Sequence, residues 1–219
     1  ALLWLGSKQG PFEIETNFAR TFDILILGES HLYRGFGIPF DPEGILSTIP
    51  SVGTVIIGYL MGGMLHTTKN YNDCVKRMFI FGFGLIVIGY LWGFILPINK
   101  ALWTSSYVLF TGGIATIFLS VLTYLIDIKH LKKPFWVFEV FGTNSIFIFI
   151  LSGLWVKTII NTKRELNGEM TSAYNYLYKT IFVPLAGDIN GSLLFAITHV
   201  IGFWLILYWM YQKKIQIKL

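Results

Sequence analysis

The stretch ILSTIPSVGTVIIGYLMGGML, Ile45–Leu65, carries no charged side chain. About 20 such residues cross a hydrocarbon core at ~1.5 Å per residue. Working outward, further charge-free runs cover Met78–Ile98, Ala101–Ile126 and Val140–Val156, and Ile189–Tyr211 is interrupted only by His199. The pattern predicts an all-α, polytopic integral membrane helical bundle with about five transmembrane helices, near 45–65, 78–98, 104–126, 138–160 and 189–211. Residues 1–44 then form an extracytoplasmic segment, 45–219 the transmembrane domain and 161–188 an outer loop.

Composition agrees. Hydrophobic residues make up 54% of the 219 and charged residues 13%, against about 25% charged in soluble domains. Mean hydropathy is +0.62. The net charge of +5 is carried by short loops rather than by a basic helix or an aromatic-interleaved strand, which excludes a nucleic-acid surface. The single cysteine, Cys74, excludes an internal disulfide, a cysteine-based zinc site and an iron–sulfur cluster, and no metal-ligand spacing is present.

The basic residues also set an orientation. Lys69, Lys76 and Arg77 lie in the loop 66–77, Lys129, Lys132 and Lys133 in 128–134, and Lys213, Lys214 and Lys218 in the tail. These three segments alternate correctly with five spans, so all three are assigned to the cytoplasm. Segment 1–44, the Pro97–Lys100 turn and the loop 161–188 fall on the other side, and 1–44 has six acids (Glu13, Glu15, Asp23, Glu29, Asp41, Glu43) against three bases (Lys8, Arg20, Arg34).

Small residues recur at helical spacing: Thr54, Gly58 and Gly62, then Gly89 and Gly93, then Gly112, Thr116 and Ser120. Such stripes let helix backbones approach, and close packing is the favoured reading over a glycine-lined substrate path. Thr21–Gly28 is expected to be an interfacial turn or partial span. Residues 171–185 place Tyr174, Tyr178 and Phe182 on one stripe, which predicts a short amphipathic helix on the outer surface or a lid over an outward-facing site. Ala1–Gly6 reads as the tail of an earlier apolar span, and the chain is expected to be the carboxy-terminal part of a larger bundle.

The densest polar constellation is GESHLYRGFGIPFDPEG, Gly28–Gly44, which presents His31, Tyr33, Arg34, Asp41 and Glu43 beside the first clean span. His31 either serves as an acid–base or hydrogen-bonding group or only ties down the loop. Arg34 either clamps a phosphate or carboxylate or pairs with Glu29 or Asp41. Asp41 and Glu43 also fit plain turn chemistry, with Ser47 or Thr48 capping the next helix and Pro50 in its first turn. Asn144 either bridges helices or touches a ligand. His199, near the middle of the last span, is either an intramembrane functional group or a neutral side chain bonded to another helix.

The wording of HLYRGFGIPFDPEGILSTIPSVGTVIIGYLMGGML, His31–Leu65, resembles the heparan-α-glucosaminide N-acetyltransferase family, including its bacterial members. LPINKALWTSSYVLFTGGIA (Leu96–Ala115), FGTNSIFIFILSGLW (Phe141–Trp155) and the terminal YWMYQKKIQIKL are similar to the same family, which extends the resemblance from about Thr21 onward. The resemblance implies a membrane acyltransferase that moves acetyl from cytosolic acetyl-CoA to an amino sugar on the outer side. It also implies a catalytic histidine in an amino-terminal half whose motif has no counterpart here, so no family catalytic residue is carried over. From their position, His31, Tyr33, Arg34, Asp41 and Glu43 at the outer mouth and Asn144 and His199 inside the bundle are expected to contact substrate. The expected partners are the bilayer, an amino-sugar or oligosaccharide substrate, the amino-terminal half and a second copy as homodimer. A bacterial cytoplasmic membrane is the expected location, and the fragment alone is expected to be inactive. A transporter of amino sugars or oligosaccharides and a non-catalytic membrane protein remain alternative readings.

Overall fold

The structure, a computed structural model, describes residues 10–166 and 168–217 and is mostly helical. The apolar tail read at Ala1–Gly6 lies outside the described residues. Four helices are long and apolar enough to cross a membrane, or five when one bent pair counts as a single span. Val55, Ile80 and Phe149 are 70%, 71% and 78% exposed. Apolar faces this open fit contact with hydrocarbon rather than water, and the protein is a polytopic helical membrane protein. Two compact units divide it, Ala1–Leu131 and Lys132–Leu219.

In the first unit α1 spans Phe18–Leu27, α2 Ile45–Thr67, α3 Tyr71–Trp92 and α4 Ser105–Thr123, the last running into a π-helical turn, Tyr124–Ile128. Helix α3 begins ahead of the apolar run at Met78 because Asn70 accepts from the Asn72 amide and starts the helix inside a polar stretch. It also ends ahead of Ile98. Thr104 and Ser106 both donate to the Pro97 carbonyl, at 2.9 and 3.1 Å, and tie 97–106 into a knotted turn.

Glycines bring α3 and α4 together. A Cβ on Gly113 would lie 2.6 Å from the Gly82 carbonyl oxygen, and one on Gly89 would lie 2.5 Å from the Phe110 nitrogen. Ser120 Oγ donates across the seam to the Val75 carbonyl at 2.9 Å. Of the stripe residues, Gly89 and Ser120 thus pack helix against helix, as favoured. Beyond their own turns of helix, no described residue comes within 4 Å of a Cβ on Gly58 or Gly62.

At one end of this unit Ala19, Phe40 and Leu102 form a core with Phe12, Ile14, Ile38, Leu46 and Ala101. The 28–44 loop and the 97–104 turn therefore sit at the same end. The other end is closed by Met61, Cys74 and Met78.

The second unit opens with α5, Trp136–Thr143, and α6, Ser145–Asn161, bent by 68° at their junction, Asn144. The expected straight span over 138–160 is thus broken. A β-hairpin follows, β1 Lys163–Leu166 paired antiparallel with β2 Glu169–Ser172, a small strand element in a bundle expected to be wholly helical. Then α7, Ala173–Leu177, passes through the π turn Tyr178–Phe182 into α8, Val183–Gln212.

Gly187 interrupts α8 with φ 74° and ψ 178°. In one straight helix Tyr174 and Phe195 would stand about 30 Å apart, yet their ring centroids are 4.8 Å apart. The chain turns back at Gly187, and 173–186 packs against 188–212. Tyr178 and Phe182 also pack on Phe195, at 6.1 and 4.8 Å. The Tyr174–Tyr178–Phe182 stripe thus packs on Phe195 of the same chain, with Tyr174 still 42% exposed. Its apolar side meets a helix of the same chain before it meets lipid.

Candidate functional site

The polar lobe 28–44 is held by residues that precede it. Asn17 caps α1 by accepting from the Arg20 amide at 2.8 Å, and Arg20 Nε donates to the Pro39 carbonyl at 2.8 Å. Phe40 is 1% exposed in the core below, so the lobe is anchored at its far end by burial. In between, Gly37 N–H donates to the Arg34 carbonyl and Phe40 N–H to the Tyr33 carbonyl, both at 3.0 Å.

Asp23 is the residue that the sequence reading missed. It is 1% exposed, and its Oδ1 accepts from the Ile45 amide at 3.0 Å. Helix α2 has Gly44 at its N-cap and no cap from its own side chains, so Asp23 of α1 caps it from outside. Ser47 and Thr48, expected to cap, instead donate back to the Gly44 carbonyl at 3.0 and 2.9 Å. Pro50 lies inside the helix rather than in its first turn. A lone acid within the apolar run TFDILIL was the available signal, since an acid surrounded by apolar residues needs a partner.

Burial pushes the Asp23 carboxyl above its ordinary value of 3.8, the Ile45 and Leu46 amides pull it down, and the Asp41 carboxylate pushes it up. The net shift is upward. Because the native state holds its proton more tightly than the unfolded chain, this group makes stability fall as pH rises from about 4 through the raised value, with no further change above it. Asp23→Asn keeps an oxygen for the Ile45 amide and is expected to flatten that slope. Thermal unfolding in detergent across the acidic range checks it, and parallel curves for variant and wild type would refute the assignment. Gly44→Ala would drive a methyl into the Asp23 carboxylate and is expected to lose a cap, about 1 kcal/mol.

The expected site residues are distributed as follows. His31 is exposed, and its Nδ1 lies 2.8 Å from the Leu27 carbonyl. A carbonyl only accepts, so in the neutral ring Nδ1 carries the hydrogen and Nε2 keeps the lone pair. The Tyr33 ring covers Gly35 and meets Phe36 edge-on at 6.2 Å. Arg34 and Glu43 are exposed, while Asp41 is half-buried and accepts from the Glu43 amide at 2.9 Å. All five lie on the lobe that precedes α2. At the other end of that helix a cleft of about 330 Å³ is lined by Lys69, Asn70, Asp73, Cys74 and Arg77.

Asn144 and His199 belong to the second unit. Asn144, 1% exposed, donates from Nδ2 to the Ile215 carbonyl at 3.0 Å and accepts from the Ile217 amide at 2.8 Å. Its amide clamps the tail into the break between α5 and α6. His199 Nδ1 lies 2.9 Å from the Phe195 carbonyl of its own helix, and its ring contacts Phe195 at 4.4 Å with Trp155 at 6.3 Å. Its hydrogen bond is therefore within α8, not to another helix.

No protein-family model matches the chain. It is similar to heparan-alpha-glucosaminide N-acetyltransferase of Mus musculus, with 33% identity over 146 residues, 58% of this chain and 22% of the mouse protein. The Homo sapiens protein of the same name is 32% identical over 146 residues, covering 21% of its length. The chain thus spans about a fifth of the relatives it matches. These relatives and the helical architecture make it a membrane protein homologous, over more than half its length, to heparan-α-glucosaminide N-acetyltransferases.

Proposed function

We propose that this chain is part of a membrane-bound acyltransferase that moves an acetyl group from cytosolic acetyl-CoA to an amino sugar on the extracytoplasmic side. The observation that carries the reading is the similarity to two N-acetyltransferases. Its geometric support lies in the first unit. Helix α2, Ile45–Thr67, separates two polar ends by ~34 Å at ~1.5 Å per residue, about the thickness of a hydrocarbon core.

At the basic end, Lys69 and Arg77 offer cations to the phosphates of acetyl-CoA. At the other end, His31, Tyr33, Arg34, Asp41 and Glu43 meet the sugar. His31 Nε2 and the Asp41 and Glu43 carboxylates are groups there that can accept a proton. Transfer forms a C–N bond to the sugar amine and breaks the thioester C–S bond, and the amine proton leaves by way of a base to the departing thiolate. His199 is retained as a contact within the second unit, and Asn144 as the clamp of the tail.

The test uses full-length protein in vesicles with the basic loops outward and glucosamine trapped inside. Labelled acetyl-CoA is added outside. Label is expected on the trapped sugar in wild type, and His31→Ala is expected to reduce it by tenfold or more, about 1.4 kcal/mol. The break at Asn144 favours a second reading, transport, because discontinuous helices build substrate sites. Saturable sugar flux without acetylation would replace the first reading with the second.

A further inference from the structure

Helices α3 and α4 leave a groove of about 370 Å³ along their seam, walled by Val75, Phe79, Ile80 and Val121, with Lys76 and Tyr124 toward its basic end. The Ser120 hydroxyl beside them is spent on the Val75 carbonyl at 2.9 Å, so the walls are apolar and the polar groups gather at one end. We propose that this groove binds an anionic phospholipid of the adjacent leaflet. An acyl chain lies along Phe79 and Ile80, and the phosphate is held between Lys76 and Lys129.

Local structure assembles both cations at the groove. Helix α3 starts at Tyr71, so Lys76 stands ~8 Å and Ile80 ~14 Å along it. The groove therefore occupies the outer turns of the span, where headgroups give way to acyl chains. At ~100° per residue Val75, Lys76, Phe79 and Ile80 share one face of α3, while Asp73, Cys74 and Arg77 line the separate 330 Å³ cleft on the opposite face. The second cation comes from the π turn that ends α4. Lys129 N–H donates to the Tyr124 carbonyl, five positions back, at 2.9 Å. That wider turn stacks residue 129 above residue 124. The Lys129 ammonium stands 5.5 Å from the Tyr124 ring centroid, within the range of a cation–π contact.

The occupant has to be apolar along its length and anionic at one end. A phospholipid with a net negative headgroup meets both conditions, since phosphate and ammonium form strong charge-assisted hydrogen bonds and basic pockets between membrane helices take such headgroups. Lys76 is exposed, and its long stem lets the ammonium rise to headgroup depth. Asp127, in the same π turn, is exposed and lies outside the lining, so the lining itself carries no acid. A further apolar helix would cover the same walls, but it would take the Lys76 ammonium out of water with no anion to meet it. A zwitterionic lipid fills the walls equally well and brings a cation of its own, which reduces what the two lysines gain.

The experiment uses full-length protein in nanodiscs containing a trace of phosphatidylglycerol or phosphatidylcholine with a photoreactive diazirine in the acyl chain. Labelled peptides are mapped by mass spectrometry after irradiation. In wild type, labelling at 75–80 and 120–124 is expected to be about tenfold higher from phosphatidylglycerol. Lys76→Gln and Lys129→Gln are each expected to cut that ratio about fivefold, and Lys213→Gln, in the other compact unit, to leave it unchanged. Both lysines are exposed, and unchanged thermal midpoints verify that the variants are folded. Equal labelling by the two lipids would overturn the proposal and make the groove ordinary bilayer contact. An equal loss in Lys213→Gln would overturn it in favour of diffuse attraction by surface charge. Absence of label from either lipid would overturn it as well, because the groove is then covered by protein. The readout involves no acetyl transfer, so its outcome is independent of the acyltransferase reading.

Discussion

Gly113→Val is expected to push α3 away from α4 and to destabilise the first unit strongly. The added Cβ would stand 2.6 Å from the Gly82 carbonyl oxygen and 2.8 Å from the Ile86 nitrogen. Both are backbone atoms, which cannot swing aside as a flexible side chain can. Relief requires moving one helix away from the other. That movement also lengthens the Ser120–Val75 hydrogen bond and opens the packing at Gly82 and Gly89. Within a bilayer, lipid tails solvate separated helices about as well as leucines do, so close packing carries more of the association than in water. Overpacking of this kind costs about 1–3 kcal/mol in soluble cores, and the value here is expected at or above the upper end. Gly58→Val is the control, because beyond its own turn of helix the described chain places nothing within 4 Å of its Cβ. Thermal unfolding in detergent should lower the midpoint sharply for Gly113→Val and little for Gly58→Val. Equal midpoints would remove the seam from the account.

How much of this was legible in the chain depends on the range of the interaction. The charge-free runs mark the spans directly, because twenty apolar residues in sequence need no partner to be recognised. The start of α3 was hidden by the polar letters YNDCVKR, which hydropathy excludes and which Asn70 nonetheless caps into a helix. The lobe 28–44 was visible as a dense polar loop. Asp23 appeared only as one acid in a charge count, because its partner, the amide of Ile45, lies 22 positions away. Asn144 and the tail atoms of Ile215 and Ile217 are separated by about 70 positions, and no local pattern announces that clamp. The register of the β1–β2 hairpin and the reversal at Gly187 are likewise absent from a hydropathy reading.

That reversal depends on one residue, and Gly187→Ala is expected to undo it. The backbone there has φ 74° and ψ 178°, a region populated essentially by glycine alone, and a side chain in it costs about 1–3 kcal/mol. Every neighbouring residue on both sides is a helix, so the strained alanine has a ready alternative in a continuous helix. Taking that alternative would carry positions 180 and 197 from side by side to ~26 Å apart at ~1.5 Å per residue. Spin labels on the exposed Thr180 and Ile197 measure this. Wild type should give one short distance, and Gly187→Ala a distribution extending to the long one. The same opening would withdraw Phe182 from Gly191, where a Cβ would lie 2.7 Å from its carbonyl oxygen, and release the Tyr178 hydroxyl from the Asp188 carbonyl. If the distances stay short in Gly187→Ala, the aromatic contacts on Phe195 alone suffice to hold the arm, and the glycine is dispensable to the turn.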